Sequence, residues 1–135
     1  MYGVRGSLGQ GRMARRDLTG AVDFGHLETY AGGDVALVEE VLGLFREQAA
    51  LWVRLLDPAA AAEAWRDAAH TLKGSARGIG AFTLADACEA AELAGPDVGE
   101  RTVLVNRVKD ALDVALADIA AWLHERELQR IRGRA

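Results

Sequence analysis

A single cysteine, Cys88, occurs among 135 residues, which excludes an internal disulfide. It lies in an alanine-rich helical stretch with no cationic cluster beside it in sequence, so it reads as a small buried hydrophobe rather than a reactive thiol. No apolar run approaches the ~18 residues that span a bilayer. Met1 to Gly20 carries Arg5, Arg12, Arg15 and Arg16 with no apolar core behind them, so a secretion signal is not expected. These absences point to the cytoplasm and to no membrane partner. A dense basic face is also missing: net charge is −4, which argues against nucleic acid as a partner. Nowhere do β-branched or aromatic residues alternate with polar ones between turn residues, so no strand is expected.

Half of the residues are hydrophobic, enough for one folded domain with its own core. Gly3, Gly6, Gly9 and Gly11 break any helix near the start, so residues 1–20 read as a flexible arm and residues 21–132 as the domain. Asp23 to Ala31 suggests a short helix closed by Gly32 and Gly33. Asp34 then suits an N-cap. From Val35 to Leu56, apolar residues at Val38, Val41, Leu42, Phe45, Ala49, Trp52 and Leu56 form one helical stripe. Asp57-Pro58 ends that helix and opens the next, expected over Pro58 to Arg77, with Gly78 and Gly80 as stops. Thr83 with Asp86 resembles a short capping box for a third long helix, stopped by Gly95-Pro96. A last helix is expected from about Glu100 to Arg130. Its apolar face comprises Val103, Val108, Leu112, Ala115, Leu116, Ile119, Trp122 and Leu123. Four such stripes joined by short connections predict an all-α antiparallel four-helix bundle with a short extra N-terminal helix, expected as a monomer.

The helix expected over Pro58 to Arg77 carries more than a core face. Trp65, Ala69, Leu72 and Ala76 cluster on one side, with Ala62 near them. His70 falls off that side and shares an outward stripe with Arg66, Lys73, Gly74 and Arg77. Glycine inside a helix costs ~1 kcal/mol relative to alanine, yet this alanine-rich chain places Gly74 one turn after His70. Gly74 leaves room there for another protein's surface. Imidazole is largely neutral at pH 7, so a ring nitrogen is available as a nucleophile. A phosphoryl group arriving on it brings negative charge that Lys73 and Arg77 are placed to offset. His26 and His124 lack Lys-Gly at the same offsets, so packing or surface roles are expected for both.

The segment His70-x-Leu72-Lys73-Gly74-Ser75, followed by Ile79-Gly80-Ala81, resembles the signature of histidine-containing phosphotransfer (HPt) domains. Similarity of pattern extends from about Val22 to Ala94. The resemblance implies a phosphocarrier of two-component phosphorelays. His70 is then the phosphoacceptor, Lys73 helps neutralise the phosphoryl group, and Gly74 admits a receiver domain. Arg66 and Ser75 are placed on the partner surface, Ser75 by packing or a local hydrogen bond. Partners are receiver domains of response regulators or of a hybrid histidine kinase, which bring their own metal ion and acid pocket. A hydrophobic patch beside His70 is expected, with help from the helix that starts at Thr83. Gly78 departs from the family pattern, where asparagine is frequent. No G-x-x-x-x-G-K-[ST] loop occurs, so an ATP-dependent kinase is not expected, and neither a cofactor nor a metal is implied.

Three other readings compete. A phosphate-independent helical adaptor that binds a receiver or kinase has the same fold, but no reason to hold His70, Lys73 and Gly74 together. A metal-binding bundle needs converging Glu-x-x-His pairs, which are absent at His70 and His124. The chain also fits the phosphotransfer part of a larger kinase.

Overall fold

The computed structural model describes residues 21–134, and all its regular elements are helices. The arm expected over residues 1–20 lies outside the described residues. The elements are α1 (Phe24–Tyr30), α2 (Val35–Leu55), α3 (Ala62–Gly78), α4 (Phe82–Glu92) and α5 (Val98–Arg134). Contacts join α2 to α3, α3 to α4, α4 to α5 and α5 back to α2. Short connections make sequence neighbours antiparallel, so α2–α5 close into the four-helix bundle, with α1 as the extra helix.

The caps follow local chemistry. Asp23 Oδ1 accepts from the His26 amide at 3.0 Å, and Asp34 Oδ1 from the Leu37 amide at 3.1 Å. Val38, Leu42, Phe45 and Ala49 of α2 are buried as their spacing predicts. They meet Trp65, Leu72 and Ala76 of α3, Leu84 and Cys88 of α4, and Val108, Leu112 and Ile119 of α5 in one core.

Three expectations need correction. First, α3 begins at Ala62, not Pro58, and Ala62 is exposed. Asp57 folds the chain into a turn instead: its Oδ1 accepts from the Ala59 amide at 2.9 Å and its carbonyl from Ala60 at 2.9 Å. Such side-chain-to-backbone bonds compete with helix. Second, the Thr83–Asp86 capping box does not form. The helix starts at Phe82 with Ala81 at its N-cap, and no side chain caps it. Third, Val103 is 53% exposed. The buried stripe of α5 is Val105, Val108, Leu112, Ala115 and Ile119, whose steps of three and four exclude Val103. Asp97, not assigned in the sequence reading, opens α5 by accepting from the Glu100 amide at 2.8 Å.

Arg101 is the buried charged residue of this core, at 4% exposure. Its guanidinium lies 4.7 Å from the Trp65 ring centroid. Nε donates to the Gly95 carbonyl at 3.0 Å, and Nη1 to those of Ala60 (3.0 Å) and Pro58 (3.3 Å). One side chain therefore ties the α2–α3 and α4–α5 connections to the first turn of α5. Truncation leaves loop carbonyls unpaired and removes the cation from the indole face. Arg101→Met is expected to lower stability by about 2 kcal/mol, read as a lower urea midpoint. An unchanged midpoint would show that water replaces the guanidinium without loss.

Candidate phosphotransfer site

Trp65 sets the geometry of the site. Its ring is fully buried, and Nε1 donates to the Ala91 carbonyl at 2.7 Å. That bond fixes the end of α4 against the first half of α3. The next residue of α4, Glu92, thereby faces the stripe one turn further along α3.

His70 stands on that stripe with 69% of its side chain exposed. Its Nδ1 lies 3.0 Å from Glu92 Oε2. An ionised carboxylate only accepts hydrogen bonds, so this contact requires the proton on Nδ1. In the neutral ring the lone pair is then on Nε2. The second oxygen, Oε1, is 2.6 Å from Lys73 Nζ. Glu92 thus bridges the imidazole and the ammonium. Lys73, against Oε1, holds the Glu92 carboxyl below its ordinary value of 4.5, with His70 contributing, while desolvation opposes the shift.

The other expected residues divide by side. Lys73 turns toward α4 with only 14% of its side chain exposed. Arg77 also faces α4, with Nη2 2.9 Å from Glu89 Oε1. Arg66 is exposed. Gly74 and Gly78 open the opposite flank, since a Cβ on either would meet nothing within 4 Å. Beyond them lies an apolar cleft of about 430 Å³ between α1, α2 and the end of α3. Ser75 and Gly78 form one wall, and Tyr30, Leu37, Leu44 and Gln48 line the others. Tyr30 is 84% exposed and Leu44 51%.

Sequence reasoning missed Glu92 and Glu89 because neither is near His70 in the chain. Of the two expected stops, Gly78 is the last residue of α3 and helical, while Gly80, expected in the turn, carries the positive φ (+83°) there. The Gly80 amide donates to the Arg77 carbonyl at 3.1 Å and the Ala81 amide to Ala76 at 2.8 Å. This is the Schellman pairing that ends a helix at a left-handed glycine. Cys88 is fully buried, and burial pushes its thiol up to about 12. His26 is exposed and packs edge-on against Phe82 at 5.5 Å, while His124 is exposed. Among the described residues, no group of three or more His, Cys, Asp or Glu side chains is placed to hold a metal ion, and no helix is long and apolar enough to cross a membrane.

Comparison with known proteins identifies the family. The family model of the Hpt domain matches residues 36–122. Among solved structures, the histidine phosphotransferase ShpA from Caulobacter crescentus is 50% identical, at a TM-score of 0.67. The match covers 83% of this chain and 99% of that one. No curated protein matches the chain. With a family model spanning more than half of its length and a half-identical structural relative, the chain belongs to the Hpt family and is a histidine phosphocarrier of phosphorelay signalling.

Proposed function

We propose that His70 is the phosphoacceptor and that the phosphoryl group is carried on Nε2. The observation behind this reading is the asymmetry of the ring: Nδ1 is held by Glu92, while the exposed edge of the imidazole faces solvent. Nε2 attacks the phosphorus of a receiver's aspartyl phosphate. The N–P bond forms as the P–O bond to the aspartate breaks, and the carboxylate leaves. The proton stays on Nδ1, so the ring gains positive charge, which the Glu92 carboxylate offsets. Return to a second receiver reverses these steps. The chain acts as a carrier, with no ATP chemistry of its own. Lys73 serves by fixing Glu92, and Gly74 by leaving the approach to Nε2 open.

The receiver docks on the apolar cleft beside Gly74 and Gly78. The expected hydrophobic patch thus belongs to α1 and α2, while α4 supplies carboxylates on the other flank. Exposed Tyr30, Leu37 and Leu44 offer contact area that a transient partner can cover and release.

The test is transfer from a receiver domain carrying radiolabelled phosphate. Label is expected on the native chain, labile to acid and stable to base, and is expected to vanish in His70→Gln. Label that persists in that variant assigns another acceptor. A native chain that stays unlabelled with several receivers, while still binding them, favours the adaptor.

A further inference from the structure

Three cations surround His70 on α3, and two of them already have partners. Lys73 is 2.6 Å from Glu92 Oε1, and Arg77 is 2.9 Å from Glu89 Oε1. Each of these charges is cancelled by an α4 carboxylate. A doubly charged phosphoryl group on Nε2 therefore meets a lysine and an arginine that are both committed elsewhere.

Arg66 differs. It is exposed and forms no ion pair or hydrogen bond with any described residue. It stands four residues before His70, one helical turn away on the same face. The direction of the turn matters. Helical side chains lean toward the N-terminus and cover the preceding turn. The His70 ring by this rule leans over the turn that carries Arg66, while Gly74 keeps the neighbouring flank open to the partner. A guanidinium on a flexible stem reaches across one turn, and its planar fork suits two phosphoryl oxygens at once. Glu63 and Asp67 are also exposed near this turn, so Arg66 is the one group there that an arriving anion selects.

We infer that Arg66 contacts the phosphoryl group carried on His70 and supplies the positive charge that Lys73 and Arg77 have already given to α4. The inference rests on His70 as the acceptor. It concerns the phosphoryl group itself, so it holds with a donor that is not a protein.

Phosphoramidate provides such a donor. Nε2 forms the N–P bond as the donor's own P–N bond breaks, and ammonia leaves with its electron pair and a proton. The full chain, Arg66→Ala, Arg66→Lys, Arg54→Ala and His70→Gln are treated with phosphoramidate, and phosphohistidine is followed by phosphorus NMR. Arg54→Ala removes the same charge at the far end of α2. Arg66→Ala is expected to slow labelling about two- to fivefold at low salt, the size of an exposed charge contact. Arg66→Lys keeps most of the rate, Arg54→Ala keeps all of it, and salt at about 1 M erases the differences. Equal rates for Arg66→Ala and the native chain overturn the inference and leave His70 as acceptor. Equal slowing by Arg54→Ala reduces the effect to net charge and overturns it too. His26 and His124 are exposed and take label from such a donor too, so the His70 signal is the phosphohistidine that His70→Gln lacks. A native chain with no more label than His70→Gln removes the acceptor assignment and the inference together.

Discussion

Gly80→Ala is expected to destabilise the domain by about 2–4 kcal/mol, more than most single substitutions. Two costs combine. Gly80 has φ +83°, a conformation that costs an L-residue about 1–2 kcal/mol. A Cβ there would also lie 2.7 Å from the Asp23 carbonyl oxygen, which is backbone and unable to swing aside. Relief requires the Asp23–Gly80 contact to open, and with it the 2.9 Å bond from the Asp23 amide to the Gly80 carbonyl. That bond, with the Val22 amide donating to Asp118 at 3.2 Å, docks the start of the domain on the α3–α4 turn and on α5. Gly74→Ala is the natural contrast. Its Cβ meets nothing, and helix propensity alone favours alanine by up to about 1 kcal/mol. Urea unfolding should therefore move the two midpoints in opposite directions. A Gly80→Ala midpoint equal to that of the native chain would mean that the turn relaxes freely.

The two glycines also show what the sequence discloses. Both are legible as glycines within a family motif, but their reasons differ and only geometry separates them. Periodicity placed α2 almost to the residue, because Val38, Leu42, Phe45 and Ala49 repeat on one face without interruption. It misplaced the start of α3, because Asp57 and Arg101 compete for backbone groups that a helix would otherwise use, and Arg101 lies over forty residues away. Val103 was misassigned for a simpler reason: a valine five residues before Val108 is not on its face.

The site was half legible. His70, Lys73, Gly74 and Arg77 sit on one helix, so local spacing brings them together. Glu92 is brought in by the α3–α4 hairpin, and no local pattern marks it. A register argument was available: His70 lies ten residues before Gly80 and Glu92 twelve after it, on the two antiparallel helices that flank the turn. Residues so placed on antiparallel helices come level with each other.

Glu92→Ala is expected to slow phosphate acceptance at His70 by about ten- to a hundredfold, by analogy with the loss of a carboxylate that orients a metal-bound imidazole. The substitution removes the acceptor for Nδ1–H, so the ring turns freely and either nitrogen can carry the proton. It also removes the charge that offsets the positive ring after transfer, and strands Lys73, whose side chain is only 14% exposed. Glu92→Gln separates these effects. Its amide oxygen still accepts from Nδ1, restoring orientation, but it carries no charge. Rates should therefore rank native, Gln, then Ala. A Gln variant as fast as the native chain reduces Glu92 to an orienting hydrogen bond; an Ala variant as fast removes it from the reaction. Acid provides an independent check. Lys73 holds the folded-state Glu92 carboxyl below its ordinary 4.5. The pair therefore stabilises the fold fully above that value, and this contribution is lost as pH falls through the lower, folded-state value. Unfolding curves taken on either side of pH 4.5 should show the native chain losing stability with acid more steeply than Glu92→Gln. Parallel curves would mean that the Lys73–Glu92 contact adds nothing to the folded state, so any effect of Glu92 on transfer would have to come through His70 alone.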